Sequence, residues 1–134
     1  MKRIIASLSL IALLLTAGAG LAVAGGQAAP RSTPELSKML GAGKSTLVFF
    51  LNPNGGPCQA QDAVLVKLWN DKKKSFNIVY VSAMVEANQK AFYDYGVRSL
   101  PSLVLVDKAG NISRVFPPGI QTYEALAAAI DGLK

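Results

Sequence analysis

The chain reads as an α/β domain, a mixed four-stranded sheet with helices on both faces. Two observations predict it. Short β-branched and aromatic runs alternate with stretches whose apolar residues recur every three to four positions, the period of a helix. The first two strand runs are separated by one such helix, so they should pair in parallel through a right-handed crossover. The last two are joined by a short connection containing the hairpin turn Lys108-Ala109-Gly110-Asn111, so they should pair antiparallel.

Each element follows from local signals. Ser32 or Thr33 can cap a short helix from Pro34 to Leu40, with Pro34 at the first position, where a missing N–H costs nothing. Gly41-Ala42-Gly43 ends it. Ser45 to Leu51 has the continuous apolar character of a buried strand. Asn52 to Pro57 is a loop of breakers. Cys58 to Lys73 is a helix whose apolar stripe is Val64, Leu65, Leu68 and Trp69. Phe76 to Ala83 is the second strand. Glu86 to Tyr95 is a helix closed by Gly96, suited to a left-handed cap. Ser102 to Val106 and Ile112 to Phe116 are the hairpin strands, ended by Pro117-Pro118-Gly119. Thr122 caps a last helix, Tyr123 to Leu133, with Leu126, Ala129, Ile130 and Leu133 on one face.

Ahead of this unit lies a targeting segment. Lys2 and Arg3 are a basic start, Ile4 to Leu15 an apolar run, and Ala22-Val23-Ala24 a small-x-small cleavage pattern. Residues 1–24 are therefore read as a signal peptide, although Ile4 to Ala24 is also long enough to anchor in a bilayer. Cleavage leaves 110 of the 134 residues, one domain with room for a core. Losing Lys2 and Arg3 takes the net charge from +6 to +4. That modest excess is scattered, apart from Lys72-Lys73-Lys74 at a helix end, where cations complement the dipole. No nucleic-acid partner is expected, and no stable membrane association after cleavage. Residues 25–33, small, polar and Pro-containing, read as a flexible leader.

The chemistry narrows to one thiol. The chain has no histidine, which excludes imidazole catalysis and His-ligated metal sites, and no cofactor or metal constellation is expected. Cys58 is the only cysteine, so no internal disulfide can form. It sits at a strand-to-helix turn, where unpaired N–H groups and the helix dipole favour thiolate. Asp62, one turn on, and burial would oppose this. The alternative is a small residue packed inertly at a helix start. Gly43-Lys44-Ser45-Thr46 lacks the earlier glycine and the preceding strand of a phosphate loop. Asn111-Ile112-Ser113 fits a glycosylation acceptor but falls in a tight turn.

The element order, with Gly56-Pro57-Cys58 opening the long helix, resembles the thioredoxin family. Tyr95-Gly96-Val97-Arg98-Ser99-Leu100-Pro101 resembles that family's loop ending in a cis-proline, and Asp107-Lys108-Ala109-Gly110 before Ile112 its final hairpin. The resemblance implies a thioredoxin-like fold over 34–134. It also implies a peptide-binding groove formed by Leu100 and Pro101 with Gly55, Gly56 and Pro57, and Cys58 as the catalytic residue. The departures are specific. Gly55 stands at the attacking cysteine, Asn54 at the preceding tryptophan, Phe49 at the buried acid and Tyr80 at its lysine partner. Losing both members of a buried ion pair together is coherent, because one charge left alone costs roughly 3–5 kcal/mol.

The resemblance then implies one of two functions. The first is an exported thiol-disulfide protein working through Cys58 as a monothiol, with an external thiol as second partner, in a bacterial periplasm or similar oxidising space. The second is a non-catalytic module that retains the peptide groove. The partners are then an exported protein or a low-molecular-weight thiol or disulfide. The protein is expected to be a monomer, with Cys58 available for a disulfide-linked dimer.

Overall fold

The computed structural model describes residues 26–133. The segment 1–24, read as a signal peptide, lies outside them. The sheet is built around β1 (Thr46–Leu51), which pairs in parallel with β2 (Asn77–Ser82) and antiparallel with β3 (Ser102–Val106). β4 (Ile112–Val115) adds antiparallel to β3, giving the order β2-β1-β3-β4. β1 is central and buried along its whole length, which is why it reads as a continuous apolar run. Alternation splits its side chains between two cores. Leu47, Phe49 and Leu51 pack in one with Leu65 and Leu68 of α2 (Gly56–Asp71) and Leu126 and Ile130 of α4 (Tyr123–Asp131). Val48 and Phe50 pack in the other with Leu36 of α1 (Pro34–Met39) and Ala91 of α3 (Gln89–Asp94).

Element boundaries move for identifiable reasons. Thr33 caps α1 by accepting a hydrogen bond from the Leu36 N–H at 3.2 Å. α2 starts at Gly56, two residues before Cys58, because Pro57 falls in the first turn, where no intrahelical N–H bond is lost. It ends at Asp71 rather than Lys73. Lys73 and Lys74 adopt left-handed φ of 56° and 58°, and the Lys74 N–H bonds back to the Trp69 carbonyl at 2.9 Å. The helix expected from Glu86 to Tyr95 opens with a 3₁₀ turn, Glu86–Asn88, and ends at Asp94 with Gly96 at φ 65°. The leader differs more. The Ala29 N–H donates to the Gly110 carbonyl at 2.9 Å, the Ile112 N–H to the Gln27 carbonyl at 2.7 Å, and the Tyr95 hydroxyl to the Pro30 carbonyl at 2.7 Å. Residues 27–30, read as flexible, are thus tied to the β3–β4 hairpin and α3, as backbone pairing allows any short polar segment to be.

One buried polar residue positions the site. Gln61 is fully buried on the core face of α2, between Cys58 and Leu65. Its Oε1 accepts from the Gln121 N–H at 2.6 Å and its Nε2 donates to the Gln121 carbonyl at 3.2 Å. The same loop donates the Gly119 N–H to the Pro101 carbonyl at 3.1 Å. One amide therefore links the start of α2, through residues 119–121, to the turn before β3.

Gln61→Ala strands both groups of Gln121 in a part-buried place and should cost about 1–3 kcal/mol in urea unfolding. A loss within a few tenths of a kcal/mol would show that water replaces the amide. Alkaline pH gives a second check. Burial, and secondarily the Asp94 charge, push the Tyr95 hydroxyl up to about 12. Burial and the hydrogen bond to Asp62 push Tyr80 higher still. In both, the folded state holds its proton more tightly than the unfolded chain does. Their contribution is complete below pH ~10, the unfolded value for tyrosine, and is lost as pH rises through the folded values. Unfolding midpoints should fall above pH ~10, and Tyr95→Phe should make that fall shallower.

Candidate functional site

β1 delivers the chain into a turn organised by Asn52. The Asn52 carbonyl accepts from the Gly55 N–H at 2.9 Å, and its Oδ1 accepts from the Asn54 N–H at 3.0 Å. Its own N–H points at sulfur and donates to Cys58 Sγ at 3.4 Å. Gln59 closes the turn from the helix side, its Nε2 donating to the Pro53 carbonyl at 3.2 Å. The backbone N–H, the carbonyl and the side-chain oxygen of Asn52 are thus all engaged in holding the loop around the thiol. The breaker-rich run Asn52-Pro53-Asn54-Gly55 signalled a turn, but nothing in it singled out Asn52 as the hub.

Cys58 is buried, 2% exposed, and forms no disulfide. It lies in the first turn of α2, with Gly55 as the N-cap residue. Gly55 is half-buried, while Gly56 and Pro57 are exposed. A Cβ built on Gly55 would stand 3.8 Å from Cys58 Sγ and 3.3 Å from the Asn52 carbonyl oxygen. Position 55 therefore faces the sulfur directly, and glycine puts nothing there.

Phe49 belongs to the same buried core cluster as Cys58. Phe49 and Tyr80 are register partners on β1 and β2, with ring centroids 5.7 Å apart and planes at 60°. These two positions, read as replacements for a buried acid and its lysine, are neighbours and form an edge-on aromatic pair. The Tyr80 hydroxyl donates to Asp62 Oδ1 at 2.7 Å. Asp62, expected to act on Cys58, is engaged by the Tyr80 hydroxyl.

The Leu100–Pro101 peptide bond is cis. β3 starts at Ser102, which pairs with Phe50, so Pro101 falls at the same end of the sheet as the Asn52–Cys58 turn. Pro101 is buried and its carbonyl is occupied by Gly119, whereas Leu100 is half-buried and its N–H and C=O have no partner among the described residues. The fold thus brings Gly55, Gly56, Pro57, Cys58, Leu100 and Pro101 to one end of the sheet. Gln61 joins them as a buried support that polarity hid in the sequence.

The comparisons agree with this architecture. A family model described as a thioredoxin-like domain matches residues 33–134. A solved point-mutant thioredoxin from Halobacterium salinarum is 27% identical, with a TM-score of 0.65, covering 75% of this chain and 84% of that one. A thioredoxin-like protein from Clostridium perfringens is 24% identical, with a TM-score of 0.62, covering 69% and 72%. Thioredoxin O2 from Arabidopsis thaliana, in its oxidised state, is 18% identical, with a TM-score of 0.59, covering 72% and 81%. The last two show the fold alone. No curated protein matches significantly. With the family model spanning the whole domain, this chain belongs to the thioredoxin-like family.

Proposed function

We propose that the protein carries out thiol-disulfide chemistry through Cys58 as a monothiol, with an external thiol in place of a second cysteine. The observation that carries this is position 55. A side chain there would meet Cys58 Sγ at 3.8 Å, yet glycine leaves that approach to a sulfur from outside the chain. The Cys58 thiolate attacks one sulfur of a substrate disulfide, forms a mixed disulfide and expels the other half as thiolate. A second thiolate, from a low-molecular-weight thiol or an exported protein, then attacks the substrate-derived sulfur of that mixed disulfide. The two external sulfurs leave as the new disulfide, and Cys58 is restored as thiolate. Two electrons pass between the external molecules and none stay on the protein. Protons go to and from solvent, because Phe49 and Tyr80 supply no buried carboxylate beside the sulfur. Extended substrates would pair with the free N–H and C=O of Leu100 beside Pro101. The setting we propose is an exported, oxidising space such as a bacterial periplasm, on the strength of the N-terminal segment.

The burial of Cys58 favours a second reading, a groove that binds peptide without redox turnover. Exposure to glutathione disulfide separates the two. The first reading expects one glutathionyl adduct on the native protein, seen by intact mass and reversed by added thiol. If the native thiol stays unmodified and reacts only after denaturation, the monothiol reading fails and the binding module stands. A side-chain test addresses the alignment itself. Gly55→Cys should form a disulfide with Cys58 under mild oxidation, since the built Cβ needs only a small shift to reach bonding distance. Thiol counting should fall from two to none, and weak disulfide reductase activity should appear. Two free thiols in a folded variant would break the link between Gly55 and the attacking position.

A further inference from the structure

The two edges of the sheet are finished very differently. β4 carries Arg114, its register with β3 is broken between Leu105 and Val106, and its start is covered by residues 27–28. Charge, irregularity and cover are the usual means of blocking an open edge. β2 has neither charge nor irregularity, and its cover is confined to its last residue, where the Ser82 carbonyl accepts from Asn88 Nδ2 at 3.1 Å and from the Val85 N–H at 3.3 Å. Its sequence, Asn-Ile-Val-Tyr-Val-Ser, holds no charge and no proline, and its register with β1 is unbroken over six pairs. The Asn77 and Ala83 N–H groups donate to β1 or its flanks. By the alternation of a parallel ladder, Ile78, Tyr80 and Ser82 turn their backbone N–H groups to the open side. A groove of about 280 Å³ straddles this edge, with Met39 from one sheet face and Val66, Trp69, Ile78 and Tyr80 from the other. Val66 and Tyr80 are 45% and 41% exposed.

The charges along the edge choose the occupant. At the start of β2 the Lys44 Nζ donates to the Lys74 carbonyl at 3.4 Å, and the Lys74 Nζ lies 5.0 Å from the Trp69 ring centroid. Lys73 adjoins them. Past the other end is Glu86, while Asp62, bonded to the Tyr80 hydroxyl, lies beside the middle of the strand. Lys73, Lys74 and Glu86 have no ion-pair partner among the described residues. Met84 and Val85, 64% and 47% exposed, extend the acidic end with apolar surface. An edge that is basic at one end and acidic at the other complements itself when reversed.

We infer that β2 pairs antiparallel with β2 of a second copy about a two-fold axis near Tyr80, joining the two sheets into one. Ile78 of each copy faces Ser82 of the other. The Lys74 end of each groove receives the Met84–Glu86 end of the other. Every contact occurs twice, as an isologous interface requires. An unrelated acidic strand would satisfy the lysines only by setting its charge against Glu86. This dimer is non-covalent and independent of Cys58, and it replaces the monomer expected from sequence.

Sedimentation equilibrium tests it on protein purified after expression of the full chain, with reductant present and in a Cys58→Ser background, so that no disulfide contributes. The mass should rise with concentration from one chain to two, and added salt should weaken the association. Val66→Lys, at an already exposed helix position, should give one-chain mass with an unchanged circular dichroism spectrum. Lys74→Glu or Glu86→Lys alone should weaken the dimer about tenfold, and the double swap should restore it. One-chain mass at all concentrations, a dimer indifferent to Val66→Lys, or a double swap no better than the singles would overturn the proposal. Because Cys58 is absent, none of these outcomes bears on the thiol chemistry.

Discussion

The rest of the molecule depends on β1 being buried on both faces. A strand with β2 and β3 alongside it, α2 and α4 on one face and α1 and α3 on the other has no side that tolerates an unpaired charge. All six of its residues are buried, and all are uncharged. This explains the uncharged pairing of positions 49 and 80. Once β2 presents Tyr80 rather than a cation opposite position 49, a carboxylate there would be stranded in the core. Phe49 against the Tyr80 ring fills the volume without charge. The absence of a buried proton carrier beside Cys58 is thus a packing outcome shared by two strands.

The same strand sets up the site by ending where it does. Leu51 leads into Asn52, whose backbone and side-chain groups turn the chain back onto α2 and point an N–H at Cys58. The antiparallel neighbour β3 starts at the same level, which brings Leu100 and Pro101 to that end of the sheet. Gln61 then ties α2 to the loop that holds the Pro101 carbonyl. The thiol turn and the proline turn are therefore braced against each other through one buried amide.

The edges carry a different logic. Strands at the rim of a sheet are templates for further pairing unless they are blunted. Here the leader and Arg114 finish one side, while β2 is left regular and uncharged, with lysines before its start and Glu86 past its end. Trp69 and Met39 bracket that edge from opposite faces. This apolar groove lies on the edge we propose for assembly, and the thiol turn does not line it.

The sequence by itself determined the element order, the parallel and antiparallel pairings and the family resemblance. Periodicity, β-branched runs and Gly or Pro punctuation are local signals that tertiary packing reinforced. It also located the thiol turn and marked positions 49 and 80 as a coupled replacement. Tertiary structure decided what local signals do not encode. Gln61 is polar, so a hydrophobic pattern passes over it, yet its partner Gln121 lies sixty residues away and satisfies it inside the core. The segment 27–30 is polar and short, so it reads as loose until the hairpin supplies backbone partners. Which strand lies at the rim, and what charges line it, exists only once β1, β2 and β3 have been ordered in space. The exposure of Cys58 belongs to the same class. A helix start can present a thiol or bury it, and here the Asn52 turn and the core beneath α2 bury it.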